Sequence, residues 1–293
     1  MENRYGVMES VEITVLIDDN AGYDSGLLGQ HGAALLLEAR TDRGWKTVLF
    51  DTGRSAETVL QNMKLLGKDP GEIDMVILSH CHFDHTGGLS GILEATGRSR
   101  IPVIAHPSIY RSNFTVKPAL RPVGISPENS REKISKNGGE LILTEEPLPL
   151  MPGAVTTGEI KKHASFETTP TLSLLTIENG KMVSDSMADD LSLVFILSRG
   201  LVIVTGCSHA GIVSIIKSAV QLTGIDQIAA VIGGFHLIDA DENRISRTVE
   251  ALMDMKIGKI YSGHCTGLKA EAKMLQYLGE GFHKLHSGMK ITI

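Results

Sequence analysis

Short apolar runs alternate with amphipathic stretches along most of this chain. Residues 11–17, 33–39 and 47–50 read as strands, the first closing on the polar turn Asp18-Asp19-Asn20 and the third on Asp51-Thr52-Gly53. An amphipathic helix follows, with Ala56, Val59, Leu60, Met63 and Leu66 on one face, ended by Gly67 and Pro70. Residues 75–78 are apolar throughout, as in a strand buried on both faces, and break into a histidine-rich turn and a helix from about 88 to 95. Strands at 101–105, 193–197, 201–204, 228–232 and 259–261 follow. Helices carrying Ile212, Ile215, Ile216 and Ala219, then Ile245, Val249 and Leu252, separate the later strands. A last helix and a short strand at 290–293 close the chain.

Between 107 and about 150 this periodicity fades, and Pro107, Pro118, Pro122, Pro127, Pro147 and Pro149 punctuate the segment. An irregular stretch of that length between core strands reads as a lid over a functional site. The pattern predicts an α/β fold of one domain, 1–293, with a lid insertion at about 107–170. Four of the apolar strands run into a turn that contains histidine: His80, His82 and His85 after the first, then His209, His236 and His264. In α/β sheets ligands gather where strands end and helices begin, so these separated histidines are expected to converge.

Composition narrows the setting. The chain is 42% hydrophobic but only 4% aromatic, so its core should be mainly aliphatic. A net charge of −6 argues against a nucleic-acid partner, which would favour a basic surface. No run approaches the ~18 apolar residues of a membrane span, and the start Met1-Glu2-Asn3-Arg4-Tyr5-Gly6 lacks the character of a signal peptide. Three cysteines do not make a disulfide framework. The expected setting is the reduced cytoplasm, with a small-molecule substrate, no nucleic acid or membrane, and self-association left open.

The sharpest chemistry lies in Ser79-His80-Cys81-His82-Phe83-Asp84-His85-Thr86-Gly87-Gly88. Imidazole nitrogen and carboxylate oxygen are donors that hold zinc, iron or manganese. Residues two apart in an extended chain point the same way, so His80 and His82 can grip one ion, while Asp84 and His85 can face a second. The pattern His80-x-His82-x-Asp84-His85 followed by Gly87-Gly88 resembles the signature of the metallo-β-lactamase superfamily. That resemblance implies a four-layer αββα sandwich holding two divalent transition-metal ions, zinc favoured over iron or manganese. On this reading His209 joins His80 and His82 on the first ion, and His264 joins Asp84 and His85 on the second. His236 is left for substrate contact or proton transfer, and Asp84 also for orienting a nucleophile. Many members carry Gly-Asp, with the Asp bridging two metals, where this chain has Gly206-Cys207. Cys207 is read as a small buried residue in preference to a ligand. Asp51 is expected to orient a ligand imidazole, and Asp189 and Asp190 to lie near the site or cap a turn.

A finer resemblance rests on several further stretches. They are Phe50-Asp51-Thr52-Gly53, Thr157-Gly158-Glu159-Ile160, Phe166-Glu167, Asp189-Asp190-Leu191, Gly206-Cys207-Ser208-His209-Ala210-Gly211, Gly233-Gly234-Phe235-His236 and His264-Cys265-Thr266-Gly267. Together they resemble the dihydropterin-ribofuranosylaminobenzene-phosphate synthases, whose archaeal members are assigned to methanopterin biosynthesis. The implied function is a metal-dependent enzyme acting on a small phosphorylated or pterin-like substrate. Its chemistry would be metal-activated hydroxide or activation of a diphosphate leaving group. His31, Glu159, Phe166 and Glu167 are the expected substrate contacts, whereas His163, His283 and His286 read as solvated. The alternative, favoured by the missing bridging carboxylate, is a metal-binding regulatory protein on a degenerate hydrolase scaffold.

Overall fold

Strands that are apolar on both faces need a cover on both faces, and this chain supplies one. The computed structural model describes residues 4–42, 44–161, 164–167 and 174–293. One seven-stranded sheet runs in the order Lys290–Thr292, Ser10–Ile17, Ala34–Thr41, Gly44–Phe50, Met75–Ile77, Ile101–Ala105, Gly139–Leu143. A second runs Phe282–Lys284, Lys259–Gly263, Ile228–Gly234, Gly200–Val204, Leu193–Leu197, Ala154–Thr156, Pro149–Met151.

Alternate residues of each strand enter different cores, as the two-residue period of a strand requires. Leu35, Leu37, Val48, Phe50 and Ile77 meet Phe195, Val202, Val204 and Ile232 in the layer between the sheets. Their neighbours Leu36, Leu49 and Val76 pack instead against Val59 and Met63 of helix Ala56–Leu65 and Ile92 of helix Leu89–Thr96. On the far side Val194, Ile203 and Val231 pack against helices Ile212–Thr223, Glu242–Asp254 and Leu268–Leu278. The result is the four-layer αββα sandwich. The histidine turns leave strands of parallel pairs in both sheets, which brings those turns to one end of the sandwich.

The segment from 107 to 150 is more regular than its prolines suggest. Gly139–Leu143 pairs in parallel with Ile101–Ala105 and extends the first sheet, after a short helix at Arg131–Lys136. Pro149–Met151 and Ala154–Thr156 edge the second. These strands span only three to five residues, too few to display a period. Asn113–Thr115 and Arg121–Pro122 do leave the core, joining Leu174–Glu178 and Lys181–Ser184 in a third, four-stranded sheet. Residues 162, 163 and 168–170 of the expected insertion, His163 included, lie outside the described residues. Among the described residues no helix is long and apolar enough to cross a membrane.

Candidate metal centre

Strand ends that must turn sharply and present a side chain carry backbone strain here. Asp51, Ser208, His236 and His264 each follow a core strand and each has positive φ, between 43° and 60°. Outside glycine such conformations cost about 1 kcal/mol or more and persist only where the surroundings enforce them. Four at one end of the sandwich mark a site.

The hydrogen-bond network fixes which nitrogen of His80, His82, His85 and His264 faces inward. Asn113 donates its amide to the Asp185 carboxylate at 2.6 Å, so its carbonyl faces His82 Nε2 at 3.1 Å and accepts that N–H. His82 Nδ1 is thereby left pointing inward. Ser79 Oγ donates to Asp51 at 2.7 Å and so accepts from His80 Nδ1 at 2.8 Å, which turns His80 Nε2 inward. His82 Nδ1 then lies 3.1 Å from His80 Nε2 and 3.2 Å from His209 Nε2. Burial holds His80 and His209 well below the usual imidazole range and His82 at about 4. Three neutral imidazoles therefore aim lone pairs at one point. Zinc–nitrogen bonds of about 2.0–2.1 Å in a tetrahedron set nitrogens ~3.3–3.4 Å apart, so this set fits a divalent ion.

A second set lies beside it. The Asp51 carboxylate accepts His85 Nδ1–H at 2.7 Å, and Asp19 accepts His264 Nδ1–H at 2.7 Å. The two Nε2 atoms face each other at 3.3 Å, with Asp84 Oδ2 at 3.5 and 3.3 Å from them. Burial alone would lower both imidazoles, but Asp51 and Asp84 raise His85, and Cys265, Asp19 and Asp84 raise His264. This set is anionic and proton-binding where the first is neutral. It too fits a divalent cation, which would replace the protons. His31 bridges from outside, Nδ1 to Asp19 at 3.1 Å and Nε2 to Asp84 at 3.4 Å.

Between the sets sits Cys207. Its Sγ is 3.0 Å from His85 Nε2, and it groups with His80 and His209 on one side and with His85 and His264 on the other. Its backbone is clamped: a Cβ on Gly206 would collide with the Ser79 side chain.

The remaining sequence candidates divide. His236 packs its ring against that of His209, centroids 4.2 Å apart and planes tilted by 47°. With Phe166, Asn243 and Arg247 it lines a cavity of about 400 Å³ that reaches His209, a volume suited to a small ligand. Glu167, expected at the substrate, is buried and accepts the backbone N–H groups of Val213 and Ser214 at 2.9 and 2.7 Å, capping helix Ile212–Thr223. Glu159 is exposed in a separate groove with Arg4 and Lys161, whose lining includes no member of the histidine cluster. Asp189 accepts from Cys81 N at 2.7 Å and pairs with Arg111 at 2.6 Å. Asp190, pushed up to about 7 mainly by burial, accepts from Ala210 N at 2.7 Å. Both brace ligand loops from behind. Sequence reasoning passed over Asp19, Asn113 and Asp185. Asp19 carried the same signal as the histidines, a polar residue at a strand end, but was read as turn chemistry.

Comparison with known proteins places the chain as a whole. The family model described as Metallo-beta-lactamase superfamily matches residues 32–159. A relative from Methanocaldococcus jannaschii, "7,8-dihydropterin-6-methyl-4-(beta-D-ribofuranosyl)-aminobenzene-5'-phosphate synthase", is 45% identical over 285 residues, 97% of each chain. The crystal structure of Tm1679, described as a metal-dependent hydrolase of the beta-lactamase superfamily, superposes with a TM-score of 0.78 at 27% identity, covering 96% of this chain and 98% of that one. Zn(2+)-bound PqqB from Methylobacterium extorquens shares the fold, with a TM-score of 0.55 at 12% identity over 96% and 99% of the chains.

Proposed function

The chain belongs to the metallo-beta-lactamase superfamily, and on that premise we propose that it joins a pterin-like unit to a phosphorylated arylamine at a two-metal centre. The observation that carries the metal part is the convergence of His80, His82 and His209, and of Asp84, His85 and His264, with the inward nitrogens of His80, His82, His85 and His264 set by outer hydrogen bonds. The relative named as a synthase supports the substrate class.

Divalent ions held by these residues would supply Lewis acidity toward a phosphoryl oxygen or a diphosphate leaving group. The chain's own groups do the rest. Phe166 and the cavity beside it receive the flat ring, with Arg247 over the Phe166 ring at 4.5 Å placed to meet the phosphate. His236, at the rim of that cavity, takes the proton that the attacking amine loses. His31 closes the outer side of the second ligand set.

Elemental analysis of protein purified without chelator tests the first part, and two ions per chain are expected. For the second, the protein is incubated with a 7,8-dihydropterin bearing a 6-methyl diphosphate ester and with ribofuranosylaminobenzene phosphate. Mass spectrometry should find the condensed product, and diphosphate should be released in equal amount. Metal binding without turnover of this pair would overturn the synthase reading and favour a binding protein. Failure to hold zinc, manganese or iron after reconstitution would overturn the metal reading.

A further inference from the structure

The cluster contains more donor atoms than the imidazoles and the carboxylate use. Cys207 is 2% exposed and, among the described residues, is the side chain grouped with members of both ligand sets. Its sulfur shares a group with His80 and His209, and another with His85 and His264, every donor atom within 4.8 Å of the others in each group. The backbone holds it there from both sides. Gly206 is pressed against Ser79, the residue that orients His80. On the other flank Ser208, at φ 57°, donates its hydroxyl to Gly234 O at 2.6 Å, so Cys207 and His209 both reach the first set across a kinked residue.

We propose that Cys207 is a sulfur ligand shared by both ions, the single side chain that ties the two sets into one centre. This rests on the reading that the two sets hold metal. A coordinated thiol gives up its proton outright, so the shared ligand is a thiolate. Soft sulfur favours zinc and related transition metals over magnesium or calcium, which take oxygen donors. The other thiols are placed differently. Cys265 groups with Cys207 and His236 but with neither ligand set, and Cys81 packs among aliphatic side chains.

X-ray absorption at the zinc edge of the zinc-loaded full chain reads the ligand directly. A sulfur scatterer at about 2.3 Å is expected in the wild type, with an amplitude of one sulfur for every zinc. It should persist in Cys265→Ser and disappear in Cys207→Ser. Should Cys207→Ser fail to fold, the wild-type and Cys265→Ser spectra still decide, because Cys81 lies outside the centre. Zinc bound by nitrogen and oxygen alone overturns the proposal while leaving the two-metal reading intact. Half the sulfur amplitude places the thiolate on one ion and overturns sharing. Loss of the sulfur signal in Cys265→Ser assigns the ligand to Cys265 and also overturns it, and a chain that takes up no zinc, manganese or iron overturns both readings.

Discussion

The two ligand sets lie side by side yet are supported by opposite chemistry. His80 and His82 lean on a hydroxyl and an amide, Ser79 and Asn113, and are buried and neutral. His85 and His264 lean on carboxylates, Asp51 and Asp19, with a third, Asp84, inside the set. The first set would attract a cation through lone pairs held in place by packing. The second would attract it through net negative charge, in a setting where charges act strongly because water is scarce. The first set is braced on its His82 side by the small third sheet through Asn113 and Asp185 and meets the cavity at His209, whereas the second faces outward through Asp19 and the half-exposed His31. The centre can thus be approached from two sides.

Substitutions test this contrast from either side. His236 belongs to neither set, so His236→Ala should leave both ions bound while turnover of the pterin and arylamine pair falls by about 10²–10⁴. Loss of metal as well would make His236 a ligand and redraw the boundary between the sets. His264→Ala should empty the second set alone, giving one ion per chain by elemental analysis. A chain that still holds two would remove His264 from the centre.

Smaller effects probe the outer partners. Asp19→Asn should weaken one of the two ions by about 10–100-fold in titration calorimetry, the usual cost of losing a partner that orients a ligand imidazole. Asn113→Leu should weaken the other ion, near the ~10-fold end, because a neutral amide contributes less than a carboxylate. If either change weakens both ions equally, the supports are not separate. Glu167→Gln should cost stability alone, about 1–3 kcal/mol in urea unfolding, since its carboxylate satisfies backbone donors of helix Ile212–Thr223. A drop in turnover by the folded protein would return Glu167 to the substrate.

Local patterns were enough for much of this molecule. Alternating apolar strands and helices announced the layered α/β fold, since burial on both faces leaves a continuous apolar run. The dense motif from His80 to His85 announced a cluster of donor atoms, because its spacing alone aims several of them together. The later histidines were legible through the recurrence of one local arrangement, a buried strand running into a turn.

Only the tertiary structure could decide which carboxylates serve the centre. Asp19 orients His264 from 245 residues away, and Asn113 reaches His82 from a segment that looked like an irregular lid. Glu167 and Asp190, equally acidic in the sequence, accept from backbone N–H groups instead, Glu167 with both oxygens and Asp190 with one. Cys207 read as a small buried residue and proved to be both buried and central. Sequence spacing specifies direction along one element, whereas the distance between donors on different elements depends on how two sheets pack. A carboxylate or thiol acquires its role from whichever group that packing brings within about 3 Å.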